Sequence, residues 1–472
     1  MLDTHKAEDG FGSDRIRLVR FDVEQLYDEF DYTIPLDVKS HVTAIIAPNG
    51  SGKTLCLRLI HALFRNDWLL FERTVFQKAS FTFSDGTTIT ASKAQMALDL
   101  SDDDEFTTSL SIQLVDAQGN KHAPWEPHQR KKSPGAFIEQ YIPHLSRIGR
   151  ATWLDRRTNE AYNFNEVLEH FSADLPPGIK RRFASTPPES ISRFLDKINC
   201  TLIETQRLFI LNDADEVRYS SAREPRKTPY AISRKAATLK SIISNEMNRY
   251  AALSQSLDRT FPSRVISTHS QLPQDEIERQ LLVLDEKRKE LMDVGILDSE
   301  QDVSVALPGQ KLDPAIATVL SVYIEDNKKK LDSLDHLYER IALFKKLVDA
   351  RFGRKDVKIS KQKGLDVLYG DREVPIERLS SGEQHQLVLF FELLFETAKN
   401  SLILIDEPEI SLHVSWQKKF ITDLMSIIEL NGFDVVLATH SPQLIGKWSD
   451  LVVELGDVFE GDKTPDWSGS SK

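Results

Sequence analysis

The residues best suited to chemistry in this sequence are Ala47-Pro48-Asn49-Gly50-Ser51-Gly52-Lys53-Thr54. An apolar, β-branched run from Val42 to Ile46 leads into them, and a helical pattern, LCLRLIHALF, follows. Strand, glycine-bearing loop and helix, closed by Gly-Lys-Thr, is the arrangement of a phosphate-binding loop. The glycines let backbone N–H groups from Asn49 to Gly52 turn toward phosphate oxygens, and the new helix adds its positive N-terminal end. Lys53 would reach the β- and γ-phosphates, and Thr54 would hold Mg2+. Ala47 stands where the stricter pattern has glycine, a small change that keeps the loop compact.

Three more polar clusters sit where apolar strands end. NCTLIETQRLFI, from Asn199 to Ile210, closes its strand with Glu204-Thr205-Gln206-Arg207. SLILI, from Ser401 to Ile405, ends in Asp406-Glu407-Pro408-Glu409, and Phe433 to Ala438 ends in Thr439-His440-Ser441. A further cluster, Arg378-Leu379-Ser380-Ser381-Gly382-Glu383-Gln384, opens an apolar helix that continues through Ala398. In open α/β sheets, the edge where strands end is where ligands bind.

These clusters need a scaffold, and the chain is long enough to build one. Its 472 residues suggest two to four structural units. With 40% hydrophobic and 28% charged residues it reads as an ordinary soluble protein. A net charge of −12 rules out a globally basic nucleic-acid coat but leaves room for a local basic patch. Cys56 and Cys200 have neither zinc spacing nor a disulfide framework, and both fall in apolar stretches, which points to core packing. Reduced thiols, the absence of a signal peptide and the absence of an apolar run of roughly 20 residues lead us to expect a cytoplasmic protein with no membrane partner.

In chain order, residues 1 to 13 are polar. IRLVRFDVEQL alternates as a strand, Tyr32 to Leu36 is its expected partner, and FTFSDGTTIT carries a hairpin signal around Ser84-Asp85-Gly86. A second pair is expected around Asp116 to Asn120. Asp99 to Glu105 reads as a solvated acidic loop. From 121 to 190, Arg130-Lys131-Lys132 and Lys180-Arg181-Arg182 read either as solvated loops or as a phosphate-backbone contact surface. Asn163 to His170 suits a short helix. Trp153 suits either core or a partner contact.

From Tyr230 to Phe352 the period changes. Ile243, Met247, Tyr250 and Leu257 form one heptad-like seam, and Ile277, Leu281, Leu284 and Leu291 a second, with Arg288 in its missing position. Leu331, Leu334, Tyr338 and Ile341 form a third. Breaks are expected near Phe261-Pro262, Gly295 and Leu307-Pro308-Gly309. The pattern fits about three long helices folded back as an arm, or a compact bundle on the core. A helix of about 35 residues would extend roughly 50 Å. The last 120 residues return to α/β, with short strands at Asp356 to Ile359 and Leu365 to Leu368. We therefore divide the chain into an N-terminal lobe over 1–228, a helical insertion over 229–353 and a C-terminal lobe over 354–472.

This set of motifs resembles the ATP-binding cassette (ABC) ATPases of the SMC, Rad50, RecF and OLD branch. APNGSGKT matches the family's Walker A, LIETQ its Q-loop, LILIDE its Walker B and Thr439-His440 its switch histidine. LSSGEQ is similar to the signature LSGGQ, with Ser381 in place of the first glycine. The EPEISLH segment resembles the D-loop of OLD and RecF-like members. The motifs lie at both ends of the chain, while the middle is matched only by its helical character. The resemblance implies an α/β fold: an ABC ATPase head, built of a P-loop core with an antiparallel β layer, from which a coiled-coil-like arm is inserted.

It also implies roles and cofactors, ATP and Mg2+. Asp406 would add anionic charge to the Mg2+ shell, with neutral oxygens from Thr54 and Gln206. Glu407 would act as general base on water, and His440 would hold the γ-phosphate and that water in line. Asn49, Gly50, Ser51, Gly52, Lys53 and Thr54 would surround the phosphates. Ser380, Ser381, Gly382 and Glu383, at a helix start, would meet the γ-phosphate bound by an opposite subunit. One chain carries one P-loop and one signature, so it is expected to pair with itself in an ATP-sandwich dimer or higher homo-oligomer. Arg20 and Phe21 are candidates to contact adenine.

Lys53 and Gly382 lie more than three hundred positions apart, far more than in a transporter cassette. Fewer than forty residues follow His440, too few for a Toprim nuclease of the OLD type. The profile is similar to the ATPase subunits of bacterial anti-phage systems such as PARIS and Septu. The implied partners are an effector nuclease, Toprim or HNH in type, and a phage protein or DNA as trigger. The alternative is a RecF- or SMC-like repair ATPase that clamps DNA directly. A third possibility is a scaffold that binds ATP without hydrolysing it.

Overall fold

The structure is a computed structural model that describes residues 15–95, 108–127, 142, 144–148, 152–157, 160–163, 167, 171, 187–204, 231–268, 271–298 and 312–456. At its centre is a five-stranded parallel sheet in the order β10 (Cys200–Ile203), β14 (Leu402–Asp406), β15 (Asp434–Thr439), β3 (Val42–Ile46) and β16 (Val452–Glu454). These strands read as unbroken apolar runs because a parallel sheet is covered on both faces. Alternate side chains enter separate cores. Ile403, Ile405, Val435 and Leu437 face one core, while Leu402, Leu404, Val436 and Ala438 face the other.

The second core is closed by α1 (Lys53–Arg65), α2 (Trp68–Arg73), α3 (Glu189–Leu195) and an antiparallel sheet. That sheet runs in the order β2 (Phe30–Pro35), β1 (Leu18–Leu26), β4 (Lys78–Phe83), β5 (Thr88–Gln95) and β6 (Thr108–Val115). The expected hairpin is β4–β5, with Gly86 at φ +88° in its turn. The expected second pair is weaker than a strand: after β6 the chain returns through only two isolated bridges, Val115 to Lys121 and Ile112 to Trp125. A small sheet, β7 (Leu145–Arg147), β8 (Thr152–Asp155) and β9 (Glu160–Asn163), buries Trp153 completely, which places that ring in a core. Cys56 and Cys200 are buried as well. The two basic clusters, the acidic loop, most of the helix expected from 163 to 170 and the break near Pro308 lie outside the described residues.

The helical insertion consists of α4 (Ala231–Ser267), α5 (Gln274–Asp293), α6 (Pro314–Asp332) and α7 (Asp335–Phe352). At 37 residues, α4 spans about 55 Å. Its fully buried positions all lie at its start, from Ala231 to Ile243, and its far end rests on α6 through Arg264 with Asp326 and Lys330 with Asp258. The insertion is therefore rooted in the head and projects from it, combining features of both expected forms. Ile277, Leu281, Leu284, Leu291, Leu331, Leu334 and Ile341 are buried along the seams. Arg288 crosses one seam to donate to Asn327 at 2.8 Å.

The helix does not break at Pro262. Proline removes one backbone donor, but Arg264 donates to the Leu257 carbonyl at 2.8 Å and to Asp326 at 2.6 Å, which holds the turn across the defect. The C-terminal half adds β11 (Lys355–Ser360), β12 (Gly364–Tyr369), β13 (Arg372–Val374), α8 (Ser381–Phe391), α9 (Val414–Asn431) and α10 (Pro442–Ile445). Among the described residues, no helix is long and apolar enough to cross a membrane.

Candidate nucleotide site

β3, β10, β14 and β15 deliver their C-terminal ends to one edge of the parallel sheet, which brings together residues hundreds of positions apart. After β3, Gly50 and Gly52 both take φ +85°, a left-handed conformation that glycine enters without a Cβ penalty. The loop packs on the β1–β2 turn, where a Cβ at Gly52 would come 2.9 Å from Leu26 Cδ2 and 3.3 Å from the Tyr27 ring. The Tyr32 hydroxyl donates to the Ser51 carbonyl at 2.9 Å, and burial pushes its phenol up to about 12, so it stays a donor at neutral pH. Ser51 Oγ is buried without a hydrogen-bond partner.

Lys53 Nζ folds back over the loop. It donates to the Ala47 and Pro48 carbonyls at 2.8 and 3.0 Å and lies 3.2 Å from His440 Nδ1. Burial holds its ammonium below the usual lysine range, while the carboxylates of Glu407, Asp406 and Glu409 pull the other way. Thr54 Oγ1 donates to both carboxylate oxygens of Asp406, at 3.1 and 3.0 Å. Burial raises the Asp406 carboxyl above the ordinary range and neighbouring Glu407 adds to the rise, against the Thr54 hydrogen bond.

Glu407 adopts φ +44°, a conformation that costs energy for a residue with a long side chain. Its N–H donates to the Ala438 carbonyl at 2.9 Å, and its Oε1 lies 3.1 Å from His440 Nε2. The imidazole thus bridges Lys53 and Glu407. The arrangement suits a tautomer that donates from Nε2 and accepts at Nδ1. The His440 N–H donates to Glu409 Oε1 at 2.6 Å. The geometry brings Lys53, His440 and Glu407 into one bonded set and Thr54 and Asp406 into another at the same sheet edge, with Asn49, Gly50, Ser51 and Gly52 in the adjoining loop. Gln206 lies outside the described residues; β10 ends at the same edge, and Arg58 of α1 pairs with Glu204 just beyond it at 3.1 Å.

The signature residues form a separate network. Ser380 is the N-cap of α8 in a capping box with Glu383, whose Oε2 accepts from the Ser380 backbone N–H at 2.9 Å. Lys355 of β11 donates to both Glu383 oxygens at 2.7 and 2.8 Å. Burial alone would raise the Glu383 carboxyl, but the bonds from Lys355 and Ser380 outweigh it and the net shift is downward. Ser380 and Ser381 are exposed, with Gly382 half-buried beside them.

One expectation is corrected. Phe21 is fully buried, with its ring 5.0 Å from Phe81, so it offers no face to a base. Arg20 is exposed and engaged with Asp22 at 2.7 Å. The aromatic ring at the mouth of the loop is Tyr27, 49% exposed and absent from the sequence reading. Its signal was its place: the turn between β1 and β2, the strand pair that precedes the loop's own strand. Glu409 was also missed, although it lies within EPEISLH.

The donor set fits the expected ligands. Thr54 and Asp406 converge as hard oxygen donors, the kind magnesium takes. The orphaned Ser51 hydroxyl and the N–H groups freed at Gly50 and Gly52 suit phosphate oxygens.

The family model described as AAA ATPase domain matches residues 27–445. Protein ea59 of Escherichia phage lambda is 30% identical over 121 residues, 25% of this chain and 23% of that protein. UvrABC system protein A of Chlamydia pneumoniae is 38% identical over 82 residues, 17% of this chain and 4% of that protein. The chain thus matches less than a quarter of the length of these relatives. Among solved structures, it is similar to the Smc head domain with an extended coiled coil bound to the C-terminal domain of ScpA, from Pyrococcus furiosus. That likeness has 11% identity and a TM-score of 0.32, and covers 93% of each chain.

Proposed function

The chain belongs to the AAA ATPase domain family, and on that footing we propose that it binds ATP with Mg2+ and hydrolyses it as an ABC-type subunit working in pairs. The observation behind this reading is the convergence of Lys53, Thr54, Asp406, Glu407 and His440 from three strand ends. The loop N–H groups and Lys53 would bind the phosphates, Thr54 and Asp406 would hold the metal, and Tyr27 would carry the base. A metal held by Thr54 and Asp406 would neutralise charge on the phosphate oxygens. Glu407 would take a proton from water while His440 keeps the carboxylate aimed. Lys53 would leave the Ala47 and Pro48 carbonyls for phosphate oxygens. Catalysis would rest on position and charge rather than on covalent chemistry.

Within this reading, Ser380 and Ser381 serve the site of a second copy. They are exposed, and Ser380 is hydrogen-bonded to Glu383, with Lys355 behind it, rather than to the P-loop. Ile410, 61% exposed, is in the same turn as Glu407, so an apolar contact surface adjoins the general base.

The finer reading is an anti-phage defence ATPase of PARIS or Septu type that holds a nuclease until a phage component alters the complex. It is supported by the EPEISLH and LIETQRL segments and by an arm with exposed Ile266, Leu282, Val283, Ile316 and Val319, a surface suited to a protein partner. The test is to purify the chain with the products of its neighbouring genes and measure ATP turnover. A co-purifying nuclease and Mg2+-dependent hydrolysis are expected. Turnover stimulated by DNA with no nuclease recovered would favour the DNA-clamping alternative.

A further inference from the structure

Glu409 is absent from the site roles assigned above, yet it sits between the site and the surface. It belongs to a one-turn helix, Pro408–Ser411, that begins directly after Glu407. One of its carboxylate oxygens accepts the His440 backbone N–H at 2.6 Å, and the other is buried with no hydrogen-bond partner. The carboxylate's one hydrogen bond among the described residues thus goes to the switch loop. The next residue in the switch loop is gripped too. Ser441 Oγ donates to Gln417 Oε1 at 2.7 Å, and Gln417 Nε2 donates to the Leu412 carbonyl at 3.1 Å. The segment after β14 and the helix after it thus hold two consecutive residues at the end of β15, while the His440 ring reaches Lys53 and Glu407.

We infer that Glu409 is a positioning residue for hydrolysis: it fixes the His440 backbone so that the ring stays between Lys53 and Glu407, with Gln417 as a second clamp on Ser441. This rests on the ATPase reading above. The effect is one of orientation. A ring displaced by about 1 Å costs on the order of 100-fold when alignment limits the rate. Because the action passes through His440, removing Glu409 should cost little once the imidazole is gone.

The test compares Glu409→Ala and Glu409→Gln in the full chain, each with and without His440→Ala. Glu409→Ala should lower kcat by at least about 10-fold with KM within about 3-fold, and Glu409→Gln, which keeps an acceptor oxygen, should recover most of the loss. In the His440→Ala background, Glu409→Ala should change kcat by less than about 2-fold. Independently of turnover, hydrogen exchange at the His440 amide should be at least about 10-fold faster in Glu409→Ala and near wild type in Glu409→Gln. Unchanged exchange, or losses that multiply in the double variant, overturns the inference. If the wild type does not hydrolyse ATP, the ATPase reading fails while the exchange result still decides the positioning claim. Should Glu409→Ala not fold, Glu409→Met keeps the volume, removes the acceptor and takes its place in every measurement.

Discussion

The Thr54 hydroxyl meets both carboxylate oxygens of Asp406, at 3.0 and 3.1 Å, across 352 positions of sequence. The pair forms because α1 starts where β3 ends, and β14 lies two strands away in the same parallel register. Held this close, the two side chains would supply hard oxygens to a magnesium shell. Thr54→Ala should weaken ATP binding by about 10-fold when Mg2+ is present and leave metal-free binding within about 2-fold. Titration calorimetry with and without a chelator reads the difference directly.

Glu407→Gln keeps the shape of the general base and removes its charge. Turnover should fall by about 100-fold or more, the usual worth of a positioned base. Nucleotide affinity should hold, and an ATP-bound pair of subunits should accumulate in light scattering. Equal turnover in wild type and variant would instead identify a protein that binds ATP without using Glu407.

Tyr27 offers an exposed aromatic ring beside Gly52 of the P-loop, where Tyr32 is buried. Stacking on a base is worth about 1–3 kcal/mol by alanine substitution. Tyr27→Ala should therefore weaken ATP binding by about 5- to 150-fold, and Tyr27→Phe should retain it. Inorganic triphosphate, which has no base, should bind both variants equally in a competition assay.

Glu383 has its carboxyl below the ordinary value of 4.5 in the folded protein, despite the opposing effect of burial. A depressed value adds stability that is complete above about pH 4.5 and disappears as the pH falls through the lower folded value. Glu383→Gln should therefore unfold at lower denaturant than wild type at pH 7, by about 1 kcal/mol. The gap should close progressively below pH 4.5. A gap that stays constant with pH would show that the bond from Lys355 contributes nothing.

Much of the architecture follows from spacing alone. The unbroken run Val42 to Ile46 and its relatives at 402–406 and 434–439, short, β-branched and bounded by polar clusters, fit strands covered on both faces. The alternation in β1 also held the answer to Phe21. It shares parity with buried Val23, while Arg20, Asp22 and Glu24 point outward, so the ring had to face inward. Pro262 misled because a helix can carry a proline when a neighbouring side chain, here Arg264 anchored on distant Asp326, restrains the turn. Glu409 was invisible for a deeper reason. Which carboxylate after β14 reaches His440 depends on the pairing of Asp406 with Ala438, a register that no local pattern encodes.

The arm is seated on the head through two glycines. A Cβ on Gly364 would overlap the Ala236 carbonyl of α4, and one on Gly295 would overlap the Ile359 carbonyl of β11. Main chain meets main chain at both seats, so any residue larger than glycine at 295 or 364 would push the end of α5 off β11 or α4 off β12.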